Sequence, residues 1–156
     1  MKNIILLLIL FVSLFSKSSI ASHAMGADIT YKCVSNNAYE ITYTFYRDCI
    51  GIPAPTIMAM TITDGNGSFT TQVNIGVAPN SPTYLHTVCP SAATTCNGGT
   101  YTGIEKWVYS GVITLPYPST TWTISHSENA RNAAITTILG AGSDNQPARS
   151  GRNDRG

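Results

Sequence analysis

Apolar and polar side chains alternate with a period of two through most of the chain, which is typical of β-strands with one buried face. The clearest stretch is Ala38–Asp48. One face of it carries Tyr39, Ile41, Tyr43, Phe45 and Arg47. The other face carries Glu40, Thr42, Thr44, Tyr46 and Asp48. Helical periodicity is nearly absent beyond the first 21 residues, so the pattern predicts an all-β domain.

About eight such stretches occur, separated by turn sequences rich in Gly, Pro, Asn or Ser. The predicted strands are Ala27–Val34, Ala38–Asp48, Thr56–Thr63, Ser68–Ile75, Tyr84–Val88, Ile104–Leu115, Thr121–Glu128 and Asn132–Leu139. Asn36-Asn37 and the run from Asp64 to Gly67 predict tight turns, and Gly111 predicts a bulge in its strand. Short strands with frequent turns predict an antiparallel β-sandwich, immunoglobulin-like or jelly-roll-like, over residues 22–139.

The first 21 residues have the layout of a cleaved secretory signal peptide. Lys2 is followed by an apolar run from Ile4 to Phe15, and Ser19-Ile20-Ala21 supplies small residues for cleavage after Ala21. The run is shorter than the ~20 residues of a membrane-spanning helix. We therefore expect an exported chain with no stable membrane span after cleavage, secreted or held at the cell surface.

The remaining composition excludes some function classes. The full chain has nine Lys and Arg against eight Asp and Glu, and removal of Lys2 and Lys17 leaves a small negative net charge. Nucleic-acid binding needs a basic stripe, which this chain lacks.

Residues 140–156 are mostly Gly, Ser, Asn, Asp and Arg without apolar pattern, which predicts a flexible polar tail.

All four cysteines lie beyond the signal sequence, and an even number in an exported chain indicates disulfides. A turn at Asn36-Asn37 places Cys33 across from Glu40 and about 30 Å from Cys49, too far for a bond. A Cys89–Cys96 bridge would close a short loop and is the preferred hypothesis. The alternatives are Cys33–Cys89 with Cys49–Cys96, or Cys33–Cys96 with Cys49–Cys89.

No catalytic, nucleotide-binding or metal-binding motif is present, so we expect no enzyme activity and no cofactor. His126 falls on the apolar face of its strand, where a packed histidine is expected. Asp64-x-Asn66-x-Ser68 resembles the start of a calcium loop, but the turn explains it without a metal. Arg47-Asp48 and Arg131-Asn132 are interpreted as structural polar pairs that form hydrogen bonds.

The aromatic side chains allow two interpretations, a sandwich core or a platform on which sugars stack. They are Tyr39, Tyr43, Tyr46, Tyr101, Tyr109, Tyr117, Trp107 and Trp122. Core packing is the preferred interpretation. If Trp107, Tyr109 and Trp122 point into the core, the sugar platform fails, whereas a cleft with paired carboxylates from Asp28, Asp48, Glu105 and Glu128 would favour a hydrolase.

Several ordered blocks resemble one family of proteins. They are Ser22–Cys33, Tyr46–Cys49, Thr95–Gly99, Tyr109–Val112 with Leu115-Pro116, and Arg131–Thr136. Over residues 22–146 they look like the N-terminal domain of large secreted surface proteins of the Bacteroidota, commonly labelled gliding-motility-associated. The resemblance implies a non-enzymatic extracellular β-module in an adhesive or motility protein, with surface polysaccharide or other surface proteins as partners.

The chain departs from that family in two ways. The family is usually richer in cysteine, with expected positions near Ser119 and near Asn129-Ala130. It also continues into further domains and a type IX secretion signal, whereas this chain passes into Pro147–Gly156. The resemblance therefore implies a truncated member. The alternative functions are a carbohydrate-binding module that uses exposed Tyr and Trp and, less favoured, a secreted hydrolase.

Overall fold

A computed structural model of the chain describes residues 24–86, 88–89 and 91–128. Seven strands and one short 3₁₀ turn make up its regular structure. They are β1 (Ala24–Ser35), β2 (Ala38–Asp48), β3 (Ile57–Thr63), β4 (Thr70–Val77), β5 (Thr83–Leu85), the 3₁₀ turn (Thr95–Asn97), β6 (Ile104–Thr114) and β7 (Thr123–Ser125). The described residues contain no helix long and apolar enough to cross a membrane.

All strand pairs are antiparallel and join in one sheet of order β1-β2-β6-β4-β3-β7, with β5 also paired to β6. The link between β4 and β6 is short, because only Gly76 with Ser110 and Val77 with Tyr109 are paired there. The sheet therefore consists of two segments, β1-β2-β6-β5 and β4-β3-β7. The segments share one core, and the rings of Tyr43 and His126 meet across it, 5.0 Å apart.

The two segments contribute different side chains to this core. Strands β2 and β6 supply mainly aromatic groups, while the second segment supplies aliphatic ones. The buried set is Ala24, Ile41, Tyr43, Phe45, Met58, Met60, Ile62, Ile75, Tyr109, Ile113, Leu115 and Ile124. The buried apolar residues of β2 lie on the face that the alternation predicts. Those of β3, Met58, Met60 and Ile62, alternate in the same way, because side chains of a strand point to opposite sides in turn.

The prediction of a bulge at Gly111 is wrong. Strands β2 and β6 pair over eleven residues without a shift, and Gly111 lies opposite Ile41. A side chain at Gly111 would meet Ile75, since a Cβ there would lie 2.7 Å from its Cγ2 atom. The glycine therefore allows β4 to pack closely on β6. The irregular positions are at the two ends of β1.

The all-β prediction is confirmed. Strand β2 has the predicted bounds, and Asn37 adopts the left-handed conformation that its turn requires, with φ of 57°. The predicted strand Thr121–Glu128 is shorter than expected, since β7 covers only Thr123–Ser125. The predicted signal peptide, the strand Asn132–Leu139 and the tail 140–156 lie outside the described residues.

Candidate functional site

Arg47, at the end of β2, is the centre of a buried polar cluster. Its side chain donates hydrogen bonds to the carboxylate of Glu105 and to the carbonyl of Gly51. Trp107 Nε1 donates to the same Glu105 oxygen at 2.8 Å. The side chains of Arg47 and Glu105 are only 6% and 14% exposed. Because Arg47 and Glu105 are paired across β2 and β6, the ion pair joins the two central strands.

Asp48 is also buried and shapes the turn that follows β2. Its Oδ1 atom accepts a hydrogen bond from the Ile50 amide at 3.0 Å, and its carbonyl accepts one from the Gly51 amide at 3.2 Å. The turn in this way brings the Gly51 carbonyl to Arg47. The Arg47-Asp48 pair thus forms hydrogen bonds within the fold. Arg131 and Asn132, the second pair, lie outside the described residues.

The preferred Cys89–Cys96 pairing is wrong, because Cys96 is bonded to Cys49 across 47 residues. Cys33 and Cys89 are free and exposed, so only half of one alternative pairing is formed. Cys33 lies opposite Tyr39, one residue from the expected Glu40, because β1 is irregular near its end. Cys33 is not bonded to Cys49, in agreement with the separation that the hairpin imposes.

The β2–β6 register explains why Cys96 bonds to Cys49. Since Asp48 pairs with Ile104, Cys49 lies beside Gly103, and its amide donates to the Gly103 carbonyl at 3.1 Å. The Gly103 amide donates to Thr95 Oγ1 at 2.9 Å, which folds the 3₁₀ turn back onto this strand end. A Cβ at Gly103 would lie 2.3 Å from Cys96 Sγ. The disulfide thus occupies the space that the missing side chain leaves.

A cavity of about 270 Å³ opens next to Arg47. Its wall is mostly apolar and includes residues from the start of β1, the end of β2 and the loop before β3. The lining residues are Ala24, Phe45, Arg47, Ile52, Pro53, Ala54, Pro55 and Glu128. Of the four carboxylates considered for a hydrolase, only Glu128 lines this cavity, so it does not bring a carboxylate pair together.

His126 packs in the core, as the alternation predicts, and its Nδ1 atom lies 2.9 Å from the Ala59 carbonyl. A carbonyl only accepts, so Nδ1 carries the proton. Nε2 is buried without a hydrogen bond and lies 3.9 Å from the Glu128 carboxylate. Burial favours the neutral ring, but Glu128 and the Ala59 carbonyl favour the charged one, and together they raise the pKa of His126.

Tyr109 and Tyr43 are almost completely buried. The Tyr109 hydroxyl donates to the Pro55 carbonyl at 2.8 Å, which ties β6 to the loop before β3. Burial raises the pKa of Tyr109 to about 12, although the Arg47 charge acts in the opposite direction. Burial, with a contribution from Glu128, raises the pKa of Tyr43 as well. Both hydroxyls therefore stay protonated and neutral near neutral pH.

The carboxylate of Asp64 accepts three hydrogen bonds, which makes the calcium interpretation unnecessary. The donors are Tyr117 Oη and Ser68 Oγ, each at 2.7 Å, and the Phe69 amide at 3.1 Å. Hydrogen bonds from Tyr117 and Ser68 lower the pKa of Asp64 to about 2, against the effect of burial. Asp64 thus connects the β3–β4 turn to the loop after β6.

Most members of the aromatic platform are packed into the protein. Tyr43 and Tyr109 are buried, and Trp107 and Trp122 are partly buried against the core. Trp122 also contacts the rings of Phe69 and Tyr117. The most exposed platform member is Tyr101, at 57%. Burial of this kind is the result expected for core aromatics.

Sequence reasoning missed two features of this region, the Arg47–Glu105 pair and the cavity. Arg47 stood out as a polar residue on an apolar face, but its partner lies 58 residues away. The only available signal was Glu105 at the start of a strand, two residues before Trp107 and therefore on the same face. No group of three or more His, Cys, Asp or Glu that could hold a metal occurs in residues 24–86, 88–89 and 91–128.

Comparisons with known proteins found no matching family model, no matching curated protein and no matching solved structure.

Proposed function

We propose that this domain is a non-enzymatic, exported β-module of a cell-surface protein for adhesion or gliding motility. One observation carries the proposal: the polar side chains most suited to chemistry hold the fold together. Arg47, Glu105 and Trp107 join β2 to β6, and Asp64 and Tyr117 close the opposite end. The blocks that resemble secreted surface proteins of the Bacteroidota supply the proposed context.

The Cys49–Cys96 disulfide supports the extracellular part of the proposal. Disulfides persist in oxidising compartments and are rare where thiols are kept reduced. Together with the signal-like sequence at residues 1–21, the bond favours export to the periplasm, the cell surface or the medium. The partners proposed for such a module are surface polysaccharides or other surface proteins.

Export is tested by producing the full chain in a bacterial host with an oxidising periplasm. We expect cleavage after Ala21 and a Cys49–Cys96 peptide in a non-reducing digest, both measured by mass spectrometry. An uncleaved cytoplasmic chain with four free thiols would contradict the proposal.

Enzymatic function is tested by incubating the secreted protein with polysaccharide and peptide substrates. We expect no turnover above a heat-denatured control. Turnover that disappears in Glu128→Gln but persists in the matched Glu40→Gln variant would identify a hydrolase and overturn the proposal, because Glu128 lines the cavity.

A second candidate function, carbohydrate binding, is favoured by three exposed tyrosines. Tyr31, Tyr84 and Tyr101 are 48–57% exposed. Tyr31 lies on β1 and Tyr84 on β5, so strands β2 and β6 separate them. Tyr31 and Tyr84 therefore do not form a single flat platform for a sugar, and the test of this candidate uses Tyr101, the most exposed of the three. Binding to immobilised polysaccharide that is lost in Tyr101→Ala, but not in Tyr46→Ala, would support this candidate.

A further inference from the structure

The dipeptide Asn-Gly occurs twice in the chain, at Asn66-Gly67 and at Asn97-Gly98. In this dipeptide the backbone nitrogen of glycine can attack the side-chain amide carbon of asparagine, because glycine has no side chain to obstruct the approach. A succinimide ring forms, and the glycine N–H proton leaves with the side-chain nitrogen as ammonia. Water then opens the ring and leaves aspartate or isoaspartate in place of asparagine.

The surroundings of the two dipeptides are closely matched. Both asparagines and both glycines are exposed. Gly67 and Gly98 both adopt the left-handed conformation, with φ of 70° and 79°. A Cβ built at either glycine would meet no atom within 4 Å. Packing therefore shields neither dipeptide from the reaction.

The two dipeptides differ in the hydrogen bonding of the glycine amide, which is the attacking group. The Gly67 amide donates to the Asp64 carbonyl at 3.0 Å and closes the β3–β4 turn. The Gly98 amide donates no hydrogen bond to any described residue. The bond at Gly67 must break before its nitrogen can attack, and a hydrogen bond of ordinary net strength makes the opened state about 5-fold rarer.

We propose that Asn97 is a site of spontaneous deamidation in the folded protein, with the Gly98 amide as the nucleophile and water as the only co-reactant. The hydrogen bond in the β3–β4 turn protects Asn66 from the same reaction. The modification puts a negative charge in place of a neutral amide directly after Cys96, which is bonded to Cys49. It needs no enzyme and does not rest on the proposed function.

Isoaspartate at position 97 disturbs the loop that carries this disulfide, because it adds one carbon atom to the backbone before Gly98. The Thr94 carbonyl accepts hydrogen bonds from the Asn97 and Gly99 amides, each at 2.8 Å. A Cβ at Gly99 would lie only 2.0 Å from the Ala93 carbonyl oxygen, so the loop has no room for a longer backbone here. We therefore expect the modified loop to open and to expose the disulfide to reductant.

Incubation of the secreted, disulfide-bonded chain at pH 8 tests the proposal. Samples taken over time are digested in acid, and mass spectrometry measures the deamidated fraction at each dipeptide. In the folded chain, Asn97 should deamidate at least ~5-fold faster than Asn66. In urea with the disulfide reduced, the two rates should become similar, because unfolding removes the turn hydrogen bond and leaves two identical dipeptides.

Three results would overturn the proposal. The first is no measurable deamidation at Asn97 in the folded chain. The second is a rate at Asn66 that equals or exceeds the rate at Asn97. The third is a preference for Asn97 that persists unchanged after unfolding, since local sequence would then be its cause.

The effect on the disulfide is measured by the rate of its reduction with dithiothreitol. Incubation at pH 8 should make reduction of the unmodified chain faster. It should have no such effect in Asn97→Gln, because glutamine does not readily form the five-membered ring, whereas the matched Asn66→Gln should behave like the unmodified chain. Equal reduction rates before and after incubation of a deamidated chain would overturn the link between the modification and the loop.

Discussion

The two ends of strand β6 are held by different kinds of interaction. At the Arg47 end, where β6 begins, a buried ion pair and a disulfide join β2, β6 and the 94–103 loop. At the Asp64 end, beyond Thr114, one carboxylate accepts hydrogen bonds from Tyr117, Ser68 and the Phe69 amide. The first end combines a covalent bond with paired charges, and the second has a single charge with neutral donors.

This difference predicts that the two ends respond to different conditions. The Arg47 end should be sensitive to reduction and to loss of one charge, because an unpaired buried charge is costly. The Asp64 end should be insensitive to reductant but sensitive to acid, because protonation of its carboxylate removes an acceptor. His126 lies between them, in contact with the centre of β2, and should respond near neutral pH.

The largest effect is expected at the Arg47 end. Arg47→Ala leaves the Glu105 carboxylate buried without its partner and should lower the free energy of unfolding by about 3–5 kcal/mol. Urea denaturation at pH 7 measures this. The double variant Arg47→Met with Glu105→Leu should recover most of the loss. Equal destabilisation of the single and double variants would show that the ion pair is not the cause.

Loss of the disulfide should have the next largest effect. Replacing both Cys49 and Cys96 with Ser should lower the free energy of unfolding by about 2–4 kcal/mol, since the bond restricts a long loop in the unfolded chain. The matched control replaces Cys33 and Cys89 with Ser and should leave the thermal midpoint unchanged. If the control were equally destabilised, the assigned pairing would be incorrect.

The Asp64 end should weaken in acid. The pKa of Asp64 is about 2 in the folded protein and 3.8 for the ordinary group, so its stabilising effect is complete above pH 4 and is lost as the pH falls toward 2. Asp64→Asn should lower the thermal midpoint by several degrees at pH 7 and by less at pH 2. Thermal scans of both proteins from pH 2 to 7 measure this. A difference in thermal midpoint that stays constant over this range would contradict the lowered pKa of Asp64.

The smallest effect is expected from His126. Its pKa is raised above 6.5 in the folded protein, so the charged ring stabilises the fold at a pH below 6.5. That contribution is lost as the pH rises through the raised value. The thermal midpoint of the unmodified chain should therefore fall relative to His126→Gln between pH 6 and 8. Glu128→Gln should reduce this pH dependence. A thermal midpoint that rises relative to His126→Gln between pH 6 and 8 would contradict a raised pKa of His126.

The sequence by itself determined most of the local structure. The bounds of β2, the apolar faces of β2 and β3 and the turns at Asn37 and Asp64 followed from alternation and turn chemistry. These features depend on residues a few positions apart, because the period of a strand and the conformation of a turn are local properties. The all-β class follows from their repetition.

Only the tertiary structure decided which strands are neighbours, and with them the contents of the candidate site. Arg47 meets Glu105, and Cys49 meets Cys96, because β2 pairs with β6 rather than with β3. The alternation is the same whichever strand lies beside β2, so it contains no information on that choice. The ease of closing a short loop favoured a Cys89–Cys96 bond. The register of β2 and β6 favours Cys49–Cys96 instead, because it places Cys49 beside Gly103, where no side chain obstructs Cys96.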